Sequence, residues 1–485
     1  MLSTNRSTRR QLELHNDRLP ISRLPAEVLS QVFAYASHSV WDRGSWDRSI
    51  PAVCRRWRNV ALGTTSLWTR FEIYDDSEAL RYAHLCSSRV PTAVGLEVVV
   101  DLLGDSWDEI LPEDTEECTQ YAHHVFTSII NIGGLTSRWK SFSTHTKRFD
   151  ACIASLDFIR SSDLPLMEYL EIVNFIEEKE DDWETHRAQV NSSGVLDLAP
   201  QLLFQSLPPR LRTLKLINVP GPYVFGHPSP QITGLTHLQL AVFINDYDLH
   251  PLNKVLDANP RLRTLSLSFT PTSDEHVEFT GGDQLLPKIQ LHDLEGLSLL
   301  GINSSMWALS LILMLDAPNV KRLGLGISCA ANRDEFEQNR SLLRQVAWSS
   351  RALTEQFQPY FPQVTHLSYS FRGHPAIDLE LLLDAYPGLR SLSIESDRCL
   401  TPLMYGTPWR VPTLEHLRVL EPKKLKSLRK TVVARHEAGL RLKNVEVVCK
   451  RESSEGDAGE DAEEDSEEDS EEDSEEDSRR GYKAG

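Results

Sequence analysis

The chain reads as an α/β protein: an N-terminal helical module, then an irregular solenoid built from strand-plus-helix repeats, then a disordered acidic tail. Three observations carry that expectation. Apolar residues recur at helical spacing between Leu24 and Trp68. From about residue 160 onward a six-residue leucine phrase keeps returning. Residues 463–478 are four consecutive copies of Glu-Glu-Asp-Ser. The expected division is a flexible basic stretch over 1–18, the helical module over 19–74, a helical linker or first solenoid cap over 75–160, the solenoid over 161–450 and the tail over 451–485.

In the helical module, Pro25 suits the first turn of a helix, where a missing N–H costs nothing. Leu24, Val28, Val32 and Ala36 recur every four residues with Leu29 and Phe33 beside them, which predicts one broad apolar face. Ser49 is placed to cap a second helix with Pro51 near its start, and Val53, Trp57, Val60 and Ala61 share a face of that helix. Gly63 stands where it should stop. Helices this short cannot bury both faces by themselves, so some apolar surface has to find a partner. An ordinary hairpin packed on the rest of the protein satisfies the same pattern.

The order of residues says more. Leu24-Pro25, Glu27, the aliphatic stripe, the block Val53-Cys54-Arg55-Arg56-Trp57 and the closing Ser66-Leu67-Trp68 resemble an F-box, in the form found in F-box-like proteins of fungi. Residues 38–50, with Trp41 and Trp46, make its connection longer than in a compact F-box. The resemblance implies docking onto a Skp-type adaptor, and through it onto a cullin ubiquitin ligase. It assigns adaptor contact to Leu24, Pro25, Val28, Leu29, Val32, Phe33, Val53, Cys54 and Trp57.

The solenoid expectation rests on a phrase of leucine, two variable residues, leucine, one variable residue and a further aliphatic. The clearest copies are Leu211-Arg212-Thr213-Leu214-Lys215-Leu216 and Leu262-Arg263-Thr264-Leu265-Ser266-Leu267. Others begin at Leu235, Leu294, Val320, Val364, Leu389 and Leu414, and weaker ones at Met167 and Leu442. From Leu211 the starts are separated by 24, 27, 32, 26, 44, 25, 25 and 28 residues. The long gaps before Leu211 and Val364 predict insertions. Alternation within each phrase is that of a strand with one buried face. Helix-like stretches ended by proline precede several strands, at Leu252–Pro260, Leu309–Pro318 and Leu379–Pro387. Units of this kind bury their apolar faces only by stacking. The pattern resembles leucine-rich repeats of an irregular kind, lacking the asparagine that usually follows the strand.

Stacking predicts two columns of side chains on the strand-lined face. One holds Thr213, His237, Thr264, Gly296, Arg322, His366, Ser391 and His416; the next holds Lys215, Gln239, Ser266, Ser298, Gly324, Ser368, Ser393 and Arg418. Lys215, His237, Arg322, His366 and Arg418 are the largest polar groups and form the expected face for a protein substrate. The loops of the two insertions, 177–200 and 328–350, are the alternative. His366 and His416 fall two repeats apart, roughly 10 Å at the strand spacing, too far for one zinc ion with ligand bonds near 2 Å. No metal or cofactor is expected.

The net charge of −19 over 485 residues is concentrated at one end. Residues 452–478 hold seventeen Asp or Glu and no Lys or Arg, and 479–485 add three bases. The remaining body has 53 acids against 48 bases, a net of −5. That balance predicts no nucleic-acid partner. No apolar run approaches bilayer length, so no membrane partner is expected either. Seven scattered cysteines without metal-ligand or disulfide spacing fit a cytoplasmic or nuclear protein. The tail repels itself and has nothing to bury, and Ser466, Ser470 and Ser474, each followed by Glu-Glu-Asp, are possible phosphorylation sites. A simple solubilising role fits it equally.

No Gly-rich phosphate loop, nucleophile elbow or His-Glu-x-x-His occurs, so a non-catalytic protein is expected. Two readings remain: a substrate-recognition subunit of a Skp–cullin–F-box type ligase, or a scaffold whose repeats bind a partner without ubiquitylation.

Overall fold

The computed structural model describes residues 20–37, 46–74, 77–104, 115–175, 199–244, 248–271, 286–302, 305–327, 333–348, 358–371, 376–395, 397–404, 409–420 and 425–449. The basic N-terminal stretch, Trp41, most of the 177–200 insertion and the acidic segment with Ser466, Ser470 and Ser474 lie outside the described residues. Met1–Val448 form one unit, and Cys449–Gly485 are assigned to a second.

The architecture is mixed α/β, with helices at the N-terminus followed by a solenoid-like run of parallel strands and helices. Fifteen strands are described: β1 (Arg70–Ile73), β2 (Leu96–Leu102), β3 (Trp139–Thr146), β4 (Tyr169–Asn174), β5 (Thr213–Pro220), β6 (His237–Ile244), β7 (Thr264–Pro271), β8 (Ile289–Gln290), β9 (Gly296–Ile302), β10 (Leu315–Asp316), β11 (Arg322–Ile327), β12 (His366–Phe371), β13 (Ser391–Ile394), β14 (His416–Leu420) and β15 (Asn444–Val448). Thirteen of them form one sheet in chain order, while β8 and β10 pair separately. Neighbouring strands are parallel throughout. A parallel strand returns to its neighbour only through a crossover, and most of these crossovers hold a helix, although none is described between β4 and β5 or between β7 and β9.

Register follows the phrase. Thr213, His237, Thr264, Gly296, Arg322, His366, Ser391 and His416 are successive partners across eight strands. Lys215, Gln239, Ser266, Ser298, Gly324, Ser368, Ser393 and Arg418 form the parallel row two residues on. Leucines at fixed offsets between these rows point to the other side and are buried, as at Leu214, Leu238, Leu265, Leu297, Leu323, Leu367, Leu392 and Leu417. A slip of one residue in any strand would turn these leucines outward.

The segment expected as a helical linker or first solenoid cap over 75–160 is not helical alone. It carries β2 and β3 of the same sheet between the helices Ser77–Ser87, Thr115–Asn131 and Phe149–Ser161. In β2 the sequence Leu-Glu-Val-Val-Val-Asp-Leu buries every second residue. It alternates as a strand should but lacks the leucine phrase. The 328–350 insertion is also no simple loop. It contains the helix Arg333–Ala347, which buries Leu342, Leu343, Val346 and Ala347 in the core.

Turns before the strands are fixed by side chains the phrase does not contain. Asn259, fully buried, accepts from the Leu235 amide at 2.8 Å and donates to the Ile232 and Val255 carbonyls at 2.7 Å each. It stands two residues past the helix His250–Asp257 and before β7. Buried Arg138 donates to the carbonyls of Val94, Gly133 and Pro91, and buried Arg435 to those of Arg410 and Val411. Val411 holds a positive φ of 42°, a backbone conformation that a β-branched residue adopts only under constraint. One continuous core runs from Leu29 in the helical module to Leu428 near the C-terminus.

Candidate functional site

The helical module opens with a short turn over Pro20–Arg23 and the helix Ala26–Ser37. The Leu29 amide donates to the Pro25 carbonyl at 3.0 Å, so Pro25 begins the first turn. The helix has two apolar stripes rather than one. Leu29 and Phe33 face the core and are fully buried, whereas Val28, Val32 and Tyr35 remain 38%, 41% and 83% exposed. The latter three are spaced by four and three residues, one face of a helix.

The second helix differs from expectation. Trp46–Val53 ends at Cys54, and a separate helix runs from Arg55 to Gly63. Cys54 breaks the two apart. Its extended backbone (φ −158°, ψ 171°) caps the third helix, and its Sγ accepts from the Trp57 amide at 3.4 Å. Ser49 therefore lies inside a helix instead of capping one. Val53, at the end of the second helix, is 49% exposed, and both helices pack on Ala26–Ser37.

Internal bonds hold the module in shape. The Arg56 guanidinium donates to the Leu24 carbonyl, and Arg58 Nε donates to Pro51 O at 2.9 Å. Trp57 is half-buried with its ring 4.9 Å from that of Phe33. Trp68 is buried, donates from Nε1 to Ala61 O at 2.9 Å and carries the Arg89 guanidinium 4.1 Å from its ring centroid.

The nine residues assigned to adaptor contact thus divide. Pro25, Val28, Val32 and Val53 are exposed, Leu24, Cys54 and Trp57 are half-buried, and Leu29 and Phe33 belong to the core. Leu29 and Phe33 are corrected from surface to packing residues. Tyr35 was missed, although its place three residues after Val32 is the helical signal that marks it.

On the strand-lined face, the five residues singled out from sequence lie in the two predicted rows but in unlike settings. Lys215 is engaged: its Nζ lies 2.5 Å from Glu171, whose carboxylate also accepts from Tyr169 at 2.7 Å and Ser143 at 3.2 Å. Burial acts to raise the Glu171 carboxyl, but the bonds from Lys215 and Tyr169 outweigh it and hold the group below the usual carboxylate range. Arg418 sits 3.5 Å from Glu446 on β15. His237 and His366 each meet the hydroxyl of the preceding threonine through Nδ1, at 2.8 and 2.9 Å. Arg322 is exposed.

Sequence reasoning missed the start of this face. Asp101, Ser143, His145, Tyr169 and Glu171 lie on β2 to β4, with His145 3.9 Å from Asp101 and edge-on to exposed Phe175. β2 and β3 lack the leucine phrase, and β4 carries only its weaker copy from Met167.

Residues 21–74 match the family model described as F-box-like. No curated protein matches the chain. The match spans the three helices and Trp68 and reaches through β1. The chain carries an F-box-like domain at residues 21–74, and such a domain implies a Skp-type adaptor as its binding partner.

Proposed function

We propose that the protein is a non-catalytic substrate-recognition subunit of a Skp–cullin–F-box type ubiquitin ligase. The F-box-like helices dock the adaptor, the adaptor recruits the cullin ligase, and the strand-lined face holds the target protein. The observation that carries this reading is the second apolar stripe of Ala26–Ser37. Val28, Val32 and Tyr35 stay exposed while Leu29 and Phe33 already satisfy the core, so the stripe has no folding role to explain it. Apolar groups at helical spacing, set within a matched F-box-like segment, are what an adaptor interface requires.

The target reading is supported by the rows of His237, Arg322, His366 and Arg418, which a long parallel sheet presents along one extended surface. Lys215, already paired with Glu171, serves to shape that surface rather than to reach outward.

Co-expression of the full chain with a Skp-type adaptor, followed by affinity capture, tests the docking step. Val32→Asp combined with Val53→Asp should abolish capture while leaving the melting curve unchanged. Capture that persists places docking elsewhere. Reconstitution with cullin, RING subunit and charged conjugating enzyme then separates a ligase subunit from a scaffold: a scaffold captures its partner without ubiquitin transfer to it.

A further inference from the structure

The strand-lined face changes character along its length. From β1 to β5 charged and polar groups meet one another: Arg70 pairs with Glu72 at 2.7 Å and Lys215 with Glu171 at 2.5 Å, and His145 lies 3.9 Å from Asp101. On β11 to β14 the balance shifts. Arg322 and Arg390 are exposed and have no ion-pair partner among the described residues. Arg322 and His366 are register partners, and Ser391 connects His366 to His416. Three strand spacings of about 4.8 Å place Arg322 and His416 about 14 Å apart, with His366 between them.

The surroundings keep this cluster open. The Arg322 guanidinium lies across Gly296, where a Cβ would stand 3.4 Å from both its Nε and Nη2. The adjoining row is small as far as β13, with Ser298, Gly324, Ser368 and Ser393, and ends on β14 at Arg418, which pairs with Glu446. Thr365 Oγ1 occupies His366 Nδ1 at 2.9 Å, so Nε2 is the atom left for a partner. The acid at the border, Glu415, is committed: Lys443 Nζ holds it at 2.8 Å, and His416 Nε2 lies 3.9 Å from it.

His366 feels this crowding. Burial lowers its imidazole below the usual range first, and the neighbouring Arg322, His416 and Arg390 lower it further. Arg322 and Arg390 both act on His366, and the acid beside them, Glu415, is already held by Lys443, so an anion brought between the two guanidinium groups adds a counter-charge that Glu415 alone does not supply.

We propose that Arg322, His366, Arg390 and His416 form an oxyanion site that takes the carboxylates of an acidic segment in the target protein, laid across β11 to β14. The site rests on the reading of this face as the target-binding surface and names the chemistry it selects. The guanidinium groups offer paired donors to each carboxylate. His366 adds a donor at Nε2 once the anion favours its protonated form. Glycine and serine beneath them leave room for the segment's backbone.

The test uses the full chain co-expressed with a Skp-type adaptor and three fluorescent peptides of one sequence, carrying glutamate, phosphoserine or serine at the same positions. The glutamate peptide should bind and the serine peptide should not. Arg322→Gln with Arg390→Gln should weaken the glutamate peptide about tenfold or more, the scale of losing charge-assisted contacts. A charge-matched control, Lys426→Gln with Arg441→Gln, should leave binding unchanged. Histidine NMR of the same complex should show the His366 titration midpoint rising when the glutamate peptide is added.

Equal weakening by the control pair overturns the site, because it shows a general field rather than a built position. An unmoved His366 midpoint, or equal binding of the serine peptide, overturns it too. Binding of the phosphoserine peptide alone overturns the carboxylate assignment in favour of a phosphate. Adaptor capture measured on the same samples keeps the two readings apart: peptide binding without adaptor capture sinks only the ligase reading, and capture without peptide binding sinks only the anion site.

Discussion

The helix Ala26–Ser37 sets two residues three positions apart on opposite duties, and their substitutions should behave in opposite ways. Leu29 is fully buried and Val32 is 41% exposed. Leu29→Ala leaves a cavity and should cost about 2–5 kcal/mol of unfolding free energy. Val32→Ala removes exposed apolar surface on the proposed docking face. Burying a whole valine is worth about 1.5–3 kcal/mol. The 41% still exposed then scales to about 0.6–1.2 kcal/mol, roughly three- to eightfold in Kd. Val32→Asp adds the desolvation of an unpaired carboxylate, several kcal/mol more, and should weaken docking by more than about a hundredfold. Biolayer interferometry against an immobilised Skp-type adaptor reads the first quantity and calorimetric melting the second. Expected is a normal melt with lost binding for Val32→Asp, and an early melt for Leu29→Ala. A Val32→Asp chain that binds like wild type, or that melts as early as Leu29→Ala, refutes the assignment of the two faces.

Further predictions concern the array. Asn259→Ala removes three hydrogen bonds from a fully buried site and should destabilise by about 2–4 kcal/mol, measured by urea unfolding. Glu171 is held below its ordinary value of 4.5, so its ionised form stabilises the fold above that value and the benefit is lost as pH falls through the lowered one. The stability gap between wild type and Glu171→Gln should therefore be constant near neutral pH and shrink on acidification below 4.5; a gap that widens in acid contradicts the pairing with Lys215. Arg435→Ala removes the donors to Arg410 and Val411 and should speed hydrogen exchange in the turn that Val411 holds at φ 42°; unchanged exchange there would show that the turn holds without them.

How much of this was readable in the sequence depended on how far each element repeats. The rows from Thr213 to His416 were legible because a leucine at fixed offsets sets register in strand after strand. β1 to β3 were not, since Arg-Phe-Glu-Ile, Leu-Glu-Val-Val-Val-Asp-Leu and Trp-Lys-Ser-Phe-Ser-Thr-His-Thr alternate without repeating the phrase. In the F-box-like segment the motif residues were found, but not which way they face. A helix with valine, leucine, valine and phenylalanine at positions 28, 29, 32 and 33 is apolar on two sides, and only the packing decides which side meets the core. The break at Cys54 was hidden for a similar reason: a thiol capping a helix carries no pattern of its own, whereas Ser49 and Pro51 did.

The junction between the two halves bears on how a ligase subunit would present its target. Trp68, the last residue of the F-box motif, hydrogen-bonds back to Ala61, and after Thr69 the chain continues directly as β1. That strand pairs with β2 from Arg70↔Glu97 to Ile73↔Val100, and Phe71 and Ile73 join the same core as Leu29 and Phe33. Arg89, following the helix after β1, closes over the Trp68 ring. No linker intervenes between Trp68 and β1, and the F-box-like helices and the strand-lined sheet share one core. Inserting a flexible glycine-serine segment between Trp68 and Arg70 should then break the pairing of β1 with β2 and lower the melting temperature. In a ligase assay, target capture should survive the insertion better than ubiquitin transfer, because transfer depends on where the target is held and capture does not. Equal loss of the two would show that the junction serves folding alone.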